Sequence, residues 1–237
     1  MKGRKIKMIR LAVTTIALIA LTSSIAVAQD STPKVQVFGG YSLVLADNGG
    51  LTGADVDFAV KAQNSPFQVE SNFQGWNAEA QYNADRWLGI VVDVGGRRGT
   101  PITGSRGTAL SGLPTGTGYS FLAGPVISYR SKSRITPFVH ALFGFDRLSI
   151  SASTISGVSP PVTSTATTYT DAALALGGGL DFRLSGRFAL RLPQLDELYT
   201  THNLDHFYES VFSPGLFNGL ATHQHNLRVS AGIVVRF

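Results

Sequence analysis

Histidines are concentrated near the C-terminus of this 237-residue chain, where four of its five lie: His202, His206, His223 and His225. His202 and His206 have the i, i+4 spacing that places two imidazoles on one face of a helix. Imidazole with a nearby carboxylate such as Asp205 suits zinc, copper or nickel. The alternative is a polar external loop that is rich in histidine by chance, and the sequence favours it. We therefore predict no cofactor and keep these four histidines as weak metal-ligand candidates.

The remaining histidine, His140, raises the question of hydrolytic chemistry. Hydrolases combine a histidine with a serine and a carboxylate, and Ser128 with Glu79 or Asp93 are the partners to consider. No nucleophile-elbow sequence accompanies them, and the chain has no cysteine to serve as a thiol nucleophile or a zinc ligand. We predict that His140 is hydrogen-bonded inside the protein and that the chain is not an enzyme.

Ionisable side chains of both signs recur on the polar faces of the predicted strands: Glu79, Asp93, Arg97, Arg130, His140, Asp146, Asp171, Asp181, Arg191 and Arg228. In a soluble sheet these would be ordinary solvent-facing charges. Inside a narrow barrel they must be paired, because burying an unpaired charge costs several kcal/mol. We predict that they form a charge network in a barrel lumen.

The elements that carry these side chains are strands, because apolar residues alternate with polar or small residues at a period of two. Eight such segments occur, at about 35–45, 73–83, 86–97, 118–130, 134–148, 169–182, 187–198 and 226–237. In the last segment, Leu227 and Val229 lie on one face and Arg228 on the other. Pro193 has no amide hydrogen for a strand ladder, so we predict a bulge or an early exit in the seventh segment.

The connections between these segments alternate in length. Three are tight turns and four are long: 83–86, 131–133 and 183–186, against about 46–72, 98–117, 149–168 and 199–225. Membrane barrels have short periplasmic turns and long external loops, which places both mature termini on the periplasmic side. Aromatic residues also cluster near the predicted strand ends, as the girdles of such barrels do: Tyr41, Phe73, Trp76, Tyr82, Trp87, Phe121, Tyr129, Phe138, Phe182, Phe188 and Phe237. The sequence predicts an all-β, eight-stranded antiparallel up-and-down transmembrane β-barrel.

The N-terminus has the order of a secretory signal peptide: a basic start, an apolar run from Leu11 to Leu21, and the small-residue site Ala26-Val27-Ala28. We predict cleavage after Ala28, so that 1–28 is the signal peptide and 29–237 the outer-membrane barrel. The whole chain has 20 Lys and Arg against 15 Asp and Glu, and five of the basic residues lie in the signal. The mature chain then has no net charge, which argues against a nucleic-acid partner. Beyond the signal, no apolar run reaches the roughly 18 residues of a spanning helix.

The C-terminal segment 227–237 ends in Val235-Arg236-Phe237 and resembles the β-signal of outer-membrane proteins. Further stretches are similar to the OmpA-like small outer-membrane β-barrel family: Val37-Phe38-Gly39-Gly40-Tyr41, Trp87-Leu88-Gly89-Ile90-Val91-Val92-Asp93, Phe121-Leu122-Ala123-Gly124-Pro125, Pro137-Phe138-Val139-His140-Ala141-Leu142-Phe143-Gly144 and Gly177-Gly178-Gly179-Leu180-Asp181. The resemblance implies a barrel of the cell outer membrane in contact with outer-membrane lipid. It implies that Val235 and Phe237 act as an assembly signal for the barrel-assembly machinery, after escort by periplasmic chaperones. We expect a monomer.

The resemblance specifies architecture and leaves the activity open, because fold does not imply function. It implies structural proteins, small pores, adhesins or immune-evasion factors. We expect a non-catalytic barrel with long extracellular loops and a structural, adhesive or envelope-integrity role. The alternatives are a narrow small-solute channel, a lipid A-modifying enzyme, and a soluble lipocalin-like barrel with an apolar interior. No peptidoglycan-binding domain follows the predicted barrel, so wall tethering is not expected.

Overall fold

The structure of the protein, a computed structural model, describes residues 33–45, 67–69, 72–100, 102–104, 111–131, 133–157, 161–203 and 223–237. The predicted signal peptide and one metal-ligand candidate, His206, lie outside the described residues. In the described part of the chain every regular element is a strand. No helix there is long and apolar enough to cross a membrane.

Twelve strands are present among the described residues. In chain order they are β1 (Val35–Leu45), β2 (Phe67–Val69), β3 (Asn72–Asn83), β4 (Leu88–Gly99), β5 (Ile102–Gly104), β6 (Gly116–Ser128), β7 (Ile135–Ile150), β8 (Ser153–Ile155), β9 (Val162–Ser164), β10 (Thr167–Arg183), β11 (Phe188–Thr200) and β12 (Gln224–Arg236). The eight long strands pair with their sequence neighbours, and β12 pairs with β1 to close a barrel. Every pairing is antiparallel, so the predicted eight-stranded up-and-down barrel is confirmed.

The long strands agree with the segments predicted from the period-two pattern to within two residues at each end. The ladder is irregular where the proline was expected to interrupt it. Between β11 and β12 the register shifts from the pair Arg191–Gly232 to the pair Gln194–Ser230, so Leu192 and Pro193 are left out of the ladder. Three residue steps along β11 therefore lie opposite two steps along β12, so β11 carries one extra residue, as in a β-bulge.

The two ends of the barrel differ as the connection lengths predict. At one end lie the three tight turns, together with the start of β1 and the end of β12, where the Val35 amide donates to the Phe237 carbonyl at 3.4 Å. At the other end the connections carry short strands of their own, which the sequence analysis did not foresee. β2 pairs with β5, β8 pairs with β9, and Ser111 forms a bridge with Ser156. The long connections therefore pair with one another.

The barrel wall has an apolar outer face and a mostly polar inner face, because successive strand side chains point to opposite sides. On the outer face, the side chains of Ile90, Val139 and Phe143 are 60%, 59% and 60% exposed. Inside, one apolar cluster that includes Leu122, Leu142 and Leu198 is interleaved with buried polar side chains. Two rings of the predicted aromatic girdle, Phe73 and Phe138, in fact point inward and are buried. The alternation sets this direction, since the outer face is taken by Asn72 and Gln74 beside Phe73 and by Pro137 and Val139 beside Phe138.

Candidate functional site

The candidate site is the lumen, whose charged side chains come from strands that are distant in sequence. Alternation directs Glu79 of β3, Asp93 of β4 and Arg228 of β12 inward, and all three are buried. Because these side chains are buried away from bulk solvent, each must find a partner within the barrel. The partners divide into three groups along the lumen axis.

The first group surrounds Arg191 near the tight-turn end. Its Nη1 donates to Glu79 Oε2 at 2.5 Å, and its Nε donates to Asp181 Oδ1 at 2.8 Å. The guanidinium carbon lies 4.7 Å from the ring centre of Phe38 and 4.1 Å from that of Phe138. Two carboxylates and two aromatic faces thus stabilise a guanidinium that is only 1% exposed.

The second group surrounds Arg228 in the middle of the lumen. Its Nη1 donates to Asp93 Oδ1 at 2.8 Å, and its Nη2 lies 2.9 Å from Asp196 Oδ2. Gln194 connects this group to the first, because its Nε2 donates to Glu79 Oε1 at 2.6 Å and to Asp196 Oδ2 at 3.0 Å. The first two groups therefore form one continuous network across the lumen.

His140 belongs to this middle group and has a different partner from those considered in the sequence. Its Nε2 lies 2.7 Å from Asp196 Oδ1. Glu79 and Asp93 are engaged by Arg191 and Arg228 instead, and Ser128 pairs in the ladder with Phe138, not with His140. The Nδ1 atom of His140 has no hydrogen-bond partner among the described residues. The Ser–His–carboxylate arrangement that was weighed as an alternative is not formed, and His140 is hydrogen-bonded inside the protein as a member of the lumen network.

The third group lies toward the end with the long connections. Arg97 forms a bidentate pair with Asp146, through Nη1–Oδ1 at 2.7 Å and Nη2–Oδ2 at 2.6 Å. His202 lies between two carboxylates, with Nε2 2.8 Å from Asp146 Oδ2 and Nδ1 2.8 Å from Asp171 Oδ2. Ionised carboxylates only accept hydrogen bonds, so this geometry suits an imidazolium that donates through both nitrogens. Gly118 makes room for the group, since a Cβ there would lie 2.8 Å from the guanidinium carbon of Arg97.

Of the ten residues predicted for the lumen network, eight are buried there and are joined by the contacts above: Glu79, Asp93, Arg97, His140, Asp146, Asp181, Arg191 and Arg228. Asp171 is half-buried at the rim beside His202. Arg130 is half-buried in the tight turn after β6, where it donates to Asn83 Oδ1 at 2.8 Å and to the Arg86 carbonyl at 2.7 Å. Burial lowers the pKa of Arg130, the charge of Arg236 acts in the same direction, and Asp181 opposes both.

Three further members of the network were not predicted from the sequence: Asp196, Gln194 and His202. Strict alternation from Arg191 would direct Gln194 and Asp196 outward, but the irregularity at Pro193 changes the parity and turns both inward. Pro193 was the feature of the sequence that could have predicted the inward direction of Gln194 and Asp196. His202 was assigned to an external loop, whereas it is fully buried.

The metal-ligand candidates do not converge in the described structure. His202 is occupied by Asp146 and Asp171, and His206 lies outside the described residues. His223 and His225 lie on the outer surface, where His225 Nδ1 is 2.8 Å from Glu197 Oε1 and both rings contact Tyr199. Among the described residues, no group of three or more ligand-type side chains is arranged to hold a metal ion.

The free space between the described side chains of the lumen includes a small cavity. It lies between Arg97 and Arg228 and is also lined by Ser120 and Leu198. Its volume is about 10 Å³, which is room for roughly one water molecule. Among the described residues, the ion pairs neutralise the charges of the lumen, and no open cavity large enough for a substrate is found between them.

Comparison with known proteins gives one family and a set of similar folds. The chain matches the outer membrane protein β-barrel domain over residues 14–232. No curated protein matches it. Among solved structures it is similar to Ail, the attachment invasion locus protein of Yersinia pestis, at 15% identity and a TM-score of 0.49, with 87% of this chain and 100% of that chain covered. The Neisserial surface protein A is similar at 13% identity and a TM-score of 0.49, with 86% and 97% covered. OprG from Pseudomonas aeruginosa is similar at 9% identity and a TM-score of 0.47, with 87% of this chain and 96% of that chain covered.

Proposed function

Because this chain belongs to the outer membrane protein β-barrel domain family, we propose that it is a closed, non-catalytic barrel that displays its long loops outside the cell. Its place is the outer membrane, as the family implies. The loops serve adhesion or the integrity of the envelope, and the barrel works as a monomer with both mature termini in the periplasm. The filled lumen is the observation that carries this proposal.

The closed lumen argues against the alternative of a small-solute channel. Arg97, Arg191 and Arg228 extend into the lumen from different strands, and each is held by at least one buried carboxylate. A path for solutes requires these guanidinium groups to leave their partners. Breaking a buried pair costs about 3–5 kcal/mol, so an open state would be rare.

The chemistry of the lumen also argues against a lipid-modifying enzyme. His140 is buried and is held by Asp196, and a lipid that lies outside the wall has no route to it through the packed strands. Its Nε2 has no serine partner among the described residues. Mass spectrometry of lipid A from cells with and without the protein tests this alternative, and any mass change that depends on His140 would overturn the proposal.

Support for loop display comes from the end of the barrel opposite the tight turns. β7 has 16 residues and β10 has 17, whereas a tilted strand needs about 9–11 to cross a membrane. The long strands therefore continue beyond the bilayer, and the pairs β2–β5 and β8–β9 extend the pairing among the connections. A framework of this kind supports exposed loops.

The experiment that tests the closed barrel is conductance in planar bilayers with refolded protein. We expect no resolved unitary steps from the natural chain, after heat-modifiable migration on a gel has shown that it is folded. The variant Arg191→Ala/Arg228→Ala serves as the comparison, since it removes the two central guanidinium groups and should admit ions. Reproducible unitary conductance of the natural chain would overturn the proposal in favour of a channel.

Loop display is tested separately in cells. The segment 153–164, which contains the paired strands β8 and β9, is replaced by a short Gly-Ser linker while the barrel strands remain. We expect the same level of folded protein in the outer membrane but weaker attachment to surfaces, or greater sensitivity to detergent. Unchanged attachment and unchanged detergent sensitivity, relative to cells that lack the protein, would count against display as the function.

A further inference from the structure

Arg98 on β4 and Arg147 on β7 point away from the lumen at the end of the barrel that carries the long connections. Each follows an inward-pointing member of the lumen network in the sequence, so alternation puts both on the outer surface, where they are exposed. β6 runs between their two strands. Arg98 pairs in the ladder with Thr117, and Arg147 pairs with Tyr119. The two arginines therefore flank a short stretch of one strand.

Outward aromatic side chains mark the level of these arginines in the membrane. Tyr119, Phe121 and Phe145 are exposed on the outer face, and the rings of Phe121 and Phe145 lie 5.4 Å apart. Aromatic belts of membrane proteins sit at the boundary between hydrocarbon and headgroups. Arg147 lies one outward position beyond Phe145 toward the loops, so its guanidinium is at headgroup level. Arg98 lies at the same end of the neighbouring part of the wall.

Neither arginine has an acidic partner in the described part of the chain. By contrast, the lumen arginines Arg97, Arg191 and Arg228 all form ion pairs with carboxylates. Hydroxyl groups surround the two outer arginines instead, because Thr117 and Tyr119 lie between them and Thr170 pairs with Arg147 from the other side. The patch is cationic, rich in hydrogen-bond donors and open to the lipid.

We propose that Arg98 and Arg147, with the hydroxyls of Thr117 and Tyr119, bind the phosphate of a phosphorylated lipid headgroup in the outer leaflet. This inference rests on the proposed membrane location of the barrel. Arginine binds phosphate through paired, charge-assisted hydrogen bonds, and the aromatic rings below the patch offer an apolar surface to the acyl chains of the same lipid. A free phosphate ion would use the arginines but not that apolar surface.

The spacing of the two arginines suits one phosphate held from both sides. Two strand spacings separate β4 from β7, which amounts to roughly 10 Å across the wall. The register offsets Arg98 and Arg147 by two residues along β6, which is roughly 7 Å. An arginine side chain is long enough to reach the space in front of Thr117 and Tyr119 from either position, because each arginine is the ladder partner of one of these residues. The two arginines would thus bind the lipid against β6, the strand that lies between them.

The test uses the full barrel refolded in nanodiscs of phosphatidylcholine that contain a minor share of purified lipid A. Native mass spectrometry then measures which lipid remains bound to the protein. We expect the natural chain to retain lipid A, and Arg98→Ala/Arg147→Ala to retain at least about tenfold less, the factor that one charge-assisted hydrogen bond supplies. The variant Arg98→Lys/Arg147→Lys keeps the charge without the paired donors and should retain an intermediate amount.

A matched control removes two outward arginines at the other end of the barrel. Arg134→Ala/Arg187→Ala changes the net charge by the same amount at the tight turns, and we expect it to retain lipid A as the natural chain does. Equal retention by Arg98→Ala/Arg147→Ala and the natural chain would overturn the proposal, as would equal loss in both double variants.

Two further measurements distinguish the phosphate from the rest of the ligand. Lipid A with its phosphates removed should not be retained, and its retention would contradict the role of the arginines. Inorganic phosphate added to the natural chain in detergent should fail to compete at equal concentration, and equal competition would overturn the lipid as the source of the phosphate. Conductance and gel migration are measured on the same samples, so failure of the closed-barrel proposal is recognised independently.

Discussion

Arg228 on the last strand and Asp93 on β4 meet across the lumen, with Nη1 2.8 Å from Oδ1, although 135 residues separate them in the chain. β12 and β4 are not neighbours in the wall, since β1 and β3 lie between them. The pair therefore spans the interior of the barrel. It can form only when the sheet has closed, so it links the polar pattern of distant strands to the closure of the fold.

Removing Arg228 should destabilise the barrel strongly. Arg228→Met leaves Asp93 and Asp196 buried without their main cationic partner, and the loss of one member of a buried pair costs about 3–5 kcal/mol. Urea unfolding in lipid vesicles, followed by tryptophan fluorescence, measures the change in the free energy of unfolding. Arg187→Met, on an exposed tight turn, is the control and should change it by less than about 0.5 kcal/mol. Equal effects of the two substitutions would contradict the network.

His202 should contribute more to stability than His225, although both contact carboxylates at 2.8 Å. The pair between His202 and Asp146 is fully buried, whereas the side chains of His225 and Glu197 are each 50% exposed. His202→Phe should lower the free energy of unfolding by about 2 kcal/mol, since Asp146 loses a buried donor. His225→Phe should lower it by no more than about 1 kcal/mol. The same unfolding experiment compares the two, and a larger effect at His225 would refute this ranking.

The C-terminal residue should matter for assembly more than its contacts suggest. Phe237 is 70% exposed and follows the last strand, so its side chain adds little packing. If Phe237 acts as the assembly signal that the resemblance of segment 227–237 implies, Phe237→Asp should sharply reduce the folded, heat-modifiable protein in the outer-membrane fraction. Tyr129→Asp is the matched control, because Tyr129 is 71% exposed at the same end of the barrel. Equal levels of the two variants would argue against an assembly signal at Phe237.

The long strands and the barrel topology were predictable from the sequence, because one apolar face outside and one polar face inside impose a period of two. The charged residues could be assigned to the lumen for the same reason. The pairings among them could not, because a pair such as Arg191 and Glu79 depends on the curvature and stagger of the closed wall. Asp196 was not predicted as a lumen residue, because the irregularity at Pro193 reverses which residues of β11 face inward from that point on.

His202 and the short strands escaped prediction for another reason. Around His202 the sequence no longer alternates between apolar and polar residues, although His202 continues the inward positions of Leu198 and Thr200 and contacts Asp146 and Asp171. β2, β5, β8 and β9 have three residues each, too few for a period-two pattern to rise above chance. Their pairing follows from the proximity of the connections at one end of the barrel, which is a property of the folded wall.

Thiol labelling in vesicles shows whether the outer face of this barrel meets lipid and whether its lumen is closed to water. The chain has no cysteine, so single cysteines report one position each: Val139→Cys on the outer face, Ser230→Cys in the lumen and Tyr129→Cys in a turn. With a membrane-impermeant maleimide, in vesicles opened to both sides, we predict rapid labelling at position 129 only. A lipid-soluble quencher should quench a fluorophore attached at position 139. Rapid labelling of Ser230→Cys by the water-soluble reagent would mean a water-filled lumen, and would contradict the account.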